Sequence, residues 1–468
     1  MSRQSGAQST EWKRSMQKIL IGTFLLSVPF TMFGLHEIFS LVALFLMMLG
    51  YRKLIHENRW FSIGYILTIL FFLYVLFVVL FQTTIAFRSS FSLEDIARGY
   101  NLALLFYIIS YVCLWKGIKA VCTKIERNCS CRSILALIVW YFFVFGNLLQ
   151  SSTAVFLLWI IACILYIPLY SALHKRILAI DTAGFMLAKH VYRCSDRWLM
   201  AGLVAVLVIG GTCGYCLNDG YAMQWEKKEA LQDQEAQTIR LQLLELDFPT
   251  AVLDDLTKED LLACKGAERL IVVTHDYTFG VDDQKEELPK DLRITDVALQ
   301  LKDAQNWVIF HHFQWLEADD FYGTESIQLL ETNDLGLMDL YGQVLYDEGD
   351  STYTAPFALL GKTSTIISDA SYLNPSVSDG YMGGFSFPSH KENYRGYLRI
   401  SRWIDPDDQQ VLSTINYTHQ KSWMQYPMIT ASEHQLIHNL KGNAAFETIQ
   451  DHLLASFDEE QLSLYTDN

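Results

Sequence analysis

Seven apolar runs, each near the length of a membrane-spanning helix, occupy the first 216 residues and constrain this chain more than any other feature. A helix needs about 20 apolar residues to cross the hydrocarbon core, with a range of about 17–25. From Ile19 to Tyr51 no Lys, Arg or Asp appears, and the single acid is Glu37. That stretch is too long for one comfortable crossing, and Pro29, Gly34, His36 and Glu37 interrupt it. It reads as two short helices joined by a turn at Gly34–Glu37, although the sequence is compatible with one crossing or two. Further runs follow at Ile63–Phe81, Leu102–Val121, Ile134–Leu149, Thr153–Tyr170 and Leu199–Cys216. Gln150–Ser152 leaves so short a connection that the runs on either side are expected to be antiparallel neighbours.

The segments between the runs orient the bundle. Four are cationic: Arg3, Lys13, Arg14 and Lys18; Arg52, Lys53 and Arg59; Lys116, Lys119, Lys124, Arg127 and Arg132; Lys175, Arg176, Lys189, Arg193 and Arg197. With seven crossings all four fall on one side, which the positive-inside rule makes cytoplasmic. The N-terminus is then expected inside and everything after about residue 217 outside. If Ile19–Tyr51 crosses once, only the N-terminal tail changes side. The basic segment before the first run is not followed by a small-x-small cleavage site, so that run is not read as a cleaved signal peptide.

Charge divides the chain at the same place. Residues 1–216 carry 19 Lys and Arg against 8 Asp and Glu, whereas residues 217–468 carry 17 against 43. A basic apolar half suits a bilayer; an acidic half repels nucleic acid and anionic headgroups, so nucleic-acid binding is excluded. Eight of the nine cysteines lie in the first half and only Cys264 in the second, which therefore forms no internal disulfide. At about 250 residues it is large enough to stand on its core alone.

The hairpin with its cationic loop, ILIGTFLLSVPFTMFGLHEIFSLVALFLMMLGYRK, resembles the start of uncharacterised multi-pass membrane proteins of Gram-positive bacteria. The resemblance covers about 35 residues, implies a bacterial cell membrane and brings no activity with it. No Asp, Glu, Lys or Arg stands near the middle of an expected span, where pumps and coupled transporters place ionisable relays. Asn101, Asn147 and His36 are polar candidates better read as interhelical hydrogen bonders. The bundle reads as an anchor or signal-coupling scaffold.

Residues 217–246 show helical spacing through Trp225, Leu231, Ile239, Leu243 and Leu246 and read as a stalk helix, broken at Asp247-Phe248-Pro249-Thr250. A second helix is expected from Thr250 to about Ala263. The domain from 247 to 468 then alternates with period two. Strands are expected at Arg269–Thr274, Ile294–Leu301, Trp307–Trp315, Ser326–Glu331, Gln343–Tyr346, Thr365–Ser368, Gly380–Phe387, Tyr394–Ile404 and Leu412–Thr418, with a final helix over Ser432–Ser456. The fold class is thus a bundle of about seven transmembrane helices followed by a mainly antiparallel β domain, of sandwich type, with flanking helices.

Candidate chemistry is sparse. Cys213-Gly214-Tyr215-Cys216 has dithiol spacing but lies at a membrane helix end rather than in a strand–helix context. Cys122, Cys129 and Cys131 supply three thiolates where a structural zinc site needs four ligands. His434 and His438 have metalloprotease spacing, but Gln435 replaces the general base. His311 and His312 point to opposite faces of a strand and cannot chelate one ion. Gly361-Lys362-Thr363 lacks the leading glycine of a phosphate loop, and the acidic turns lack an EF-hand ligand series. No metal and no cofactor is expected, and no catalytic residue stands out. Aromatic platforms suit sugars and peptides, and Trp315, Tyr322, Tyr381, Trp403 and Trp423 are the candidate ligand-surface residues. The expected function is a multi-pass membrane protein whose outer domain binds or senses an envelope carbohydrate or peptide without catalysis. Its partners are the bilayer, that ligand and a membrane-protein partner. The alternatives are a membrane-anchored hydrolase of envelope polymers and a permease-like transporter subunit.

Overall fold

The computed structural model describes residues 10–27, 36–85, 93–126, 132–147, 153–187, 194–217, 220–279, 290–303, 305–317, 321–330, 337–367, 376–404, 410–423, 425–426, 428–437 and 445–456. The chain forms two compact units. One is Met1–Leu217 with Tyr426–Met428; the other is Asn218–Gln425 with Ile429–Asn468.

The first unit is helical: α1 (Glu11–Ser27), α2 (His36–Arg52), α3 (Arg59–Phe81), α4 (Leu93–Lys124), α5 (Arg132–Asn147), α6 (Thr153–Thr182) and α7 (Asp196–Leu217). The long stretch around Pro29 does fold as two helices, and their turn lies outside the described residues. Gly22 and Gly50 let α1 and α2 approach closely. A Cβ at Gly22 would sit 2.5 Å from the Ala43 carbonyl oxygen, and one at Gly50 would sit 2.6 Å from that of Ser15. Asn58 caps α3, accepting hydrogen bonds from the backbone N–H groups of Trp60 and Phe61.

Among the described residues, three helical segments are long and apolar enough to cross a membrane: Arg59–Phe81, Leu105–Lys124 and Asp196–Cys216. Of the seven crossings expected from sequence, these three are supported among the described residues. Length sets most of the others apart: α1 and α2 have 17 residues each and α5 has 16. They rise roughly 24–26 Å against a hydrocarbon core of about 30 Å. The helix α6 carries Pro168 within its apolar part and the charged residues Lys175, Arg176 and Asp181 only beyond it, toward its C-terminal end.

Ion pairs join the cationic segments to one another. Asp196 receives Lys18 at 2.9 Å and Arg52 at 3.4 Å, and Glu57 receives Lys124 at 3.1 Å. Cys122, close to the end of α4, is buried and disulfide-bonded.

The second unit contains two antiparallel sheets. The strands are β1 (Glu226–Lys227), β2 (Ala267–Tyr277), β3 (Leu292–Leu301), β4 (Asn306–Trp315), β5 (Glu325–Leu330), β6 (Leu337–Glu348), β7 (Ser351–Pro356), β8 (Leu359–Ile367), β9 (Ser376–Phe385), β10 (Glu392–Trp403), β11 (Gln410–Gln420) and β12 (Phe446–Ser456). One sheet runs β1-β7-β6-β10-β4-β3-β2 and the other β12-β11-β5-β9-β8. They pack face to face over a shared core in which Phe313 stacks on Phe385, with ring centres 5.5 Å apart, and also meets Tyr417.

Three short helices, α8 (Gln234–Glu245), α9 (Thr250–Leu253) and α10 (Lys258–Ala263), cover the far face of the larger sheet. Ile239, Leu243, Phe248 and Leu261 bury against Val308, Phe310, Leu345 and Tyr397. Strand β4 is therefore covered on both faces, which explains its doubly apolar pattern.

Three sequence expectations are corrected here. The stalk helix is confined to α8, capped by Asp233; Glu226 and Lys227 instead pair with Thr354 and Tyr353. The single helix expected over 250–263 is split at residues 254–257, where Thr257 and Asp260 form a capping box that restarts it. The final helix is only α11 (Ala431–Ile437), and Phe446–Ser456 is a strand paired with β11 along its whole length. Its inward residues Ile449, Asp451 and Leu453 alternate, a period-two signal weakened by the acid Asp451 in the inward phase.

Candidate functional site

The sandwich buries its chemistry. Residues Trp307, Ile309, His311, Phe313 and Trp315 form the inward stripe of β4, and all are buried between the sheets. The stripe puts an imidazole among large apolar side chains, where it must find partners. Asp296 faces His311 across the β3–β4 ladder, and its Oδ1 lies 2.7 Å from His311 Nδ1. On the other side of the ring, His311 Nε2 lies 2.7 Å from Ser413 Oγ on β11. With Nδ1–H donating to the carboxylate, Nε2 accepts the serine hydroxyl proton, which is the geometry by which a serine is activated as a nucleophile. Ser413 is 4% exposed, Asp296 1% and His311 0%. The set thus ties one sheet to the other through the middle of the core.

A carboxylate cluster adjoins it. On β12, Asp451 Oδ1 receives His275 Nδ1 and Tyr277 Oη, both at 2.8 Å and both from β2, and also the backbone N–H of His452. Burial pushes the Asp296 carboxyl up, His311 opposes this, and the Asp451 charge pushes it further up.

Two more histidines pair with acids. His419 Nδ1 lies 2.9 Å from Glu325 Oε1, with its ring against Trp315 and Phe321. Burial, with Glu325 nearby, drives the Tyr417 hydroxyl well above the ordinary tyrosine range, and that hydroxyl accepts a hydrogen bond from Trp315 Nε1 at 3.1 Å. On the opposite face of β4, His312 Nε2 lies 2.9 Å from Asp255 Oδ2, and Arg395 Nε donates to both oxygens of Asp255 at 2.9 Å. Burial raises the Asp255 carboxyl, but His312 and Arg395 outweigh it and hold the group below the usual carboxylate range. The two adjacent histidines do face opposite ways, and each has its own acid.

The candidate ligand-surface aromatics are dispersed through different environments. Trp315 is 4% exposed and part of the core; Tyr381 packs against the core, half-buried; Tyr322 is half-buried. Trp403 and Trp423 are 38% and 58% exposed, and Trp403 Nε1 donates to Gln305 Oε1 at 3.0 Å. His434 is buried, its ring stacked on Phe446, while His438 lies outside the described residues. Gly361-Lys362-Thr363 is part of β8. The acidic turn after β6 is a hairpin with Gly349 at φ +58°, and Asp347 accepts from Thr352 and Asn393. Cys213 and Cys216 are free and exposed. Among the described residues, no three His, Cys, Asp or Glu side chains converge in a way that could hold a metal ion.

Sequence reasoning missed Asp296, Ser413, Asp451, Asp255 and Glu325. The available signal was phase: Asp296 lies between inward Ile294 and Ala298, and Ser413 between inward Val411 and Ile415. A polar residue in an inward phase demands a buried partner, but which partner depends on how the sheets stack. No protein-family model matches the chain, and no curated protein is detectably similar to it in sequence.

Proposed function

We propose that this is a multi-pass cell-membrane protein whose acidic β domain lies outside the cytoplasm and binds or senses an envelope carbohydrate or peptide without transforming it. The observation that carries the reading is the closure of the Ser413–His311–Asp296 set. Both ring nitrogens of His311 are spent on Asp296 and Ser413 between two sheets, which suits a rigid recognition scaffold better than a reaction centre. Trp403 and Trp423 are the proposed contact residues, because they are the exposed members of the aromatic set.

The test uses the full chain in detergent, with purified cell-wall glycan and its peptide-crosslinked form as probes. Retention on either probe that falls about tenfold or more in Trp403→Ala or Trp423→Ala, a typical loss for an aromatic anchor, is the expected result. Retention on neither, or retention indifferent to both substitutions, rejects the reading.

The proposed arrangement keeps seven crossings, with the short α1, α2 and α5 and the longer α6 completing the bundle, and a cytoplasmic N-terminus. Pairing of the cationic segments through Asp196 and Glu57 supports placing those segments together. The Cys122 disulfide opposes the orientation, since disulfides are rare in the reducing cytosol. Topology reporters after Asn128 and at the C-terminus decide: cytoplasmic signal after Asn128 and none at the C-terminus supports the orientation, and the converse reverses it.

The serine geometry itself favours a second reading, a membrane-anchored hydrolase of envelope polymers. Labelling of the native protein by a fluorophosphonate that is lost in Ser413→Ala would establish it and displace the first.

A further inference from the structure

Asp296 and Asp451 present an unusual arrangement of satisfied and unsatisfied oxygens. Oδ1 of Asp451 takes three donors: the His275 ring, the Tyr277 hydroxyl and the His452 backbone N–H. Oδ1 of Asp296 takes the His311 ring. Oδ2 of each is buried with no hydrogen-bond partner. Both residues are nearly inaccessible, at 1% and 2%.

The topology brings them together. Asp296 pairs with Val273 on β2, so it shares the inward face with His275 two residues along, and His275 reaches Asp451 on β12. The groups facing the two acids are His275 and Tyr277 from β2, His311 from β4, Ser413 from β11, and the backbone of His452 beside Asp451 on β12. The His275 ring, the Tyr277 hydroxyl and the His452 N–H meet Asp451 Oδ1, the His311 ring meets Asp296 Oδ1, and Ser413 meets His311.

Two buried carboxylates with orphaned oxygens cannot both remain ionised cheaply. A single proton on one, donated to the other, would satisfy both oxygens and remove one of two like charges. We propose that Asp296 and Asp451 together form a proton-binding site that closes the edge of the sandwich between β2 and β12. The proton comes from and returns to water. Upward displacement of the Asp296 carboxyl by burial and by Asp451 agrees with this.

The sign follows from linkage. A carboxyl whose folded-state affinity for the proton exceeds its unfolded one stabilises the closed edge while protonated, and that contribution is lost as pH rises through the folded value. With one proton released on opening, the opening equilibrium shifts up to about tenfold per pH unit in that range. His275, which is partly exposed, stands between Asp451 and water and gives the proton its route out.

The test is infrared spectroscopy of the full chain in an ester-free detergent. A protonated-carboxyl band is expected at neutral pH, bleaching as pH rises, and absent in both Asp451→Asn and Asp296→Asn. In each variant the new amide donates where the proton stood. Amide hydrogen exchange over β2 and β12, corrected for intrinsic rate, should lose protection at alkaline pH in the native chain and stay flat in whichever variant folds. No such band at neutral pH in the native protein, a band that survives both substitutions, or protection that rises with pH overturns the proposal. The native spectrum decides the first point even if neither variant folds.

Discussion

The helical unit and the sandwich treat charge in opposite ways. In the bundle, Arg52 and Asp196 stand at helix ends and Lys18 reaches Asp196 from the middle of α1, with Lys18 and Asp196 about one-third exposed, and the interior holds aromatic and aliphatic side chains. In the sandwich, His311–Asp296, His312–Asp255 and His419–Glu325 are sealed in the core or beneath the helices. A helix in hydrocarbon can neither hydrate a charge nor count on a neighbouring partner during insertion, so ionisable groups move to its ends. A domain that folds in water can bury a charge once its partner is fixed on an adjacent strand, and such a pair fixes strand and sheet positions at a cost in desolvation. The bundle can lose an ion pair cheaply; the sandwich cannot.

The largest expected effect tests this contrast directly. Asp255→Ala leaves His312 without its acid and Arg395 with Asp347 alone, and should cost about 3–5 kcal/mol of domain stability, the range for breaking a buried pair. Asp196→Ala in the bundle should cost less than about 1 kcal/mol, as for partly exposed pairs. Denaturant titration of each variant in detergent, following tryptophan fluorescence, measures both. Equal losses would erase the distinction.

Gly22→Val tests whether the bundle owes its tightness to shape rather than charge. The added side chain meets the Ala43 carbonyl and Met47, so α1 and α2 must separate. A loss of about 1–3 kcal/mol is expected for such overpacking. A thermal melt unchanged from the parent would show that the two helices do not pack as described.

A third prediction sharpens the comparison within the sandwich. Asp255 has a lowered folded-state pKa, so its contribution is present above its unfolded value near about 4 and is lost as pH falls through the lower folded value. Asp296 is shifted up and contributes the opposite limb, lost as pH rises. Asp255→Asn should therefore flatten the acid side of the stability profile alone and Asp296→Asn the alkaline side alone. Denaturation midpoints across pH for both variants read this out, and a change on the wrong limb would contradict the assignment.

The smallest effect concerns a local device. Thr257→Ala removes the capping box that restarts the chain as α10 and should cost about 1 kcal/mol. A loss several times larger would mean that α10 anchors the helical layer over Val308 and Phe310 more than capping explains.

Much was legible before any tertiary structure. The apolar runs fixed where the helices lie, because each must satisfy its backbone internally over a length set by the run. Alternation in Trp307–Trp315 placed a strand there, whereas β7 (Ser351–Pro356), which closes the hairpin after the acidic turn, was not expected. Phe446–Ser456 was misread as helix because its outward residues Thr448, Gln450 and His452 suit either structure, and only pairing with β11 selects the strand. The helix over 250–263 was overextended because its restart rests on Thr257 and Asp260 binding each other, a local choice hidden among helix-favouring acids.

What the sequence determined by itself is therefore local: run length, period and charge balance, each a property of residues near one another in the chain. What only the tertiary structure decided is partnership. His311 meets Ser413 across 102 positions and His275 meets Asp451 across 176, and His312 reaches Asp255 from a helical layer rather than a neighbouring strand. Those pairings depend on which sheet faces lie opposite and in what register. Burial forces each polar group to find a partner, but the stacking of two separately hydrogen-bonded sheets selects which one.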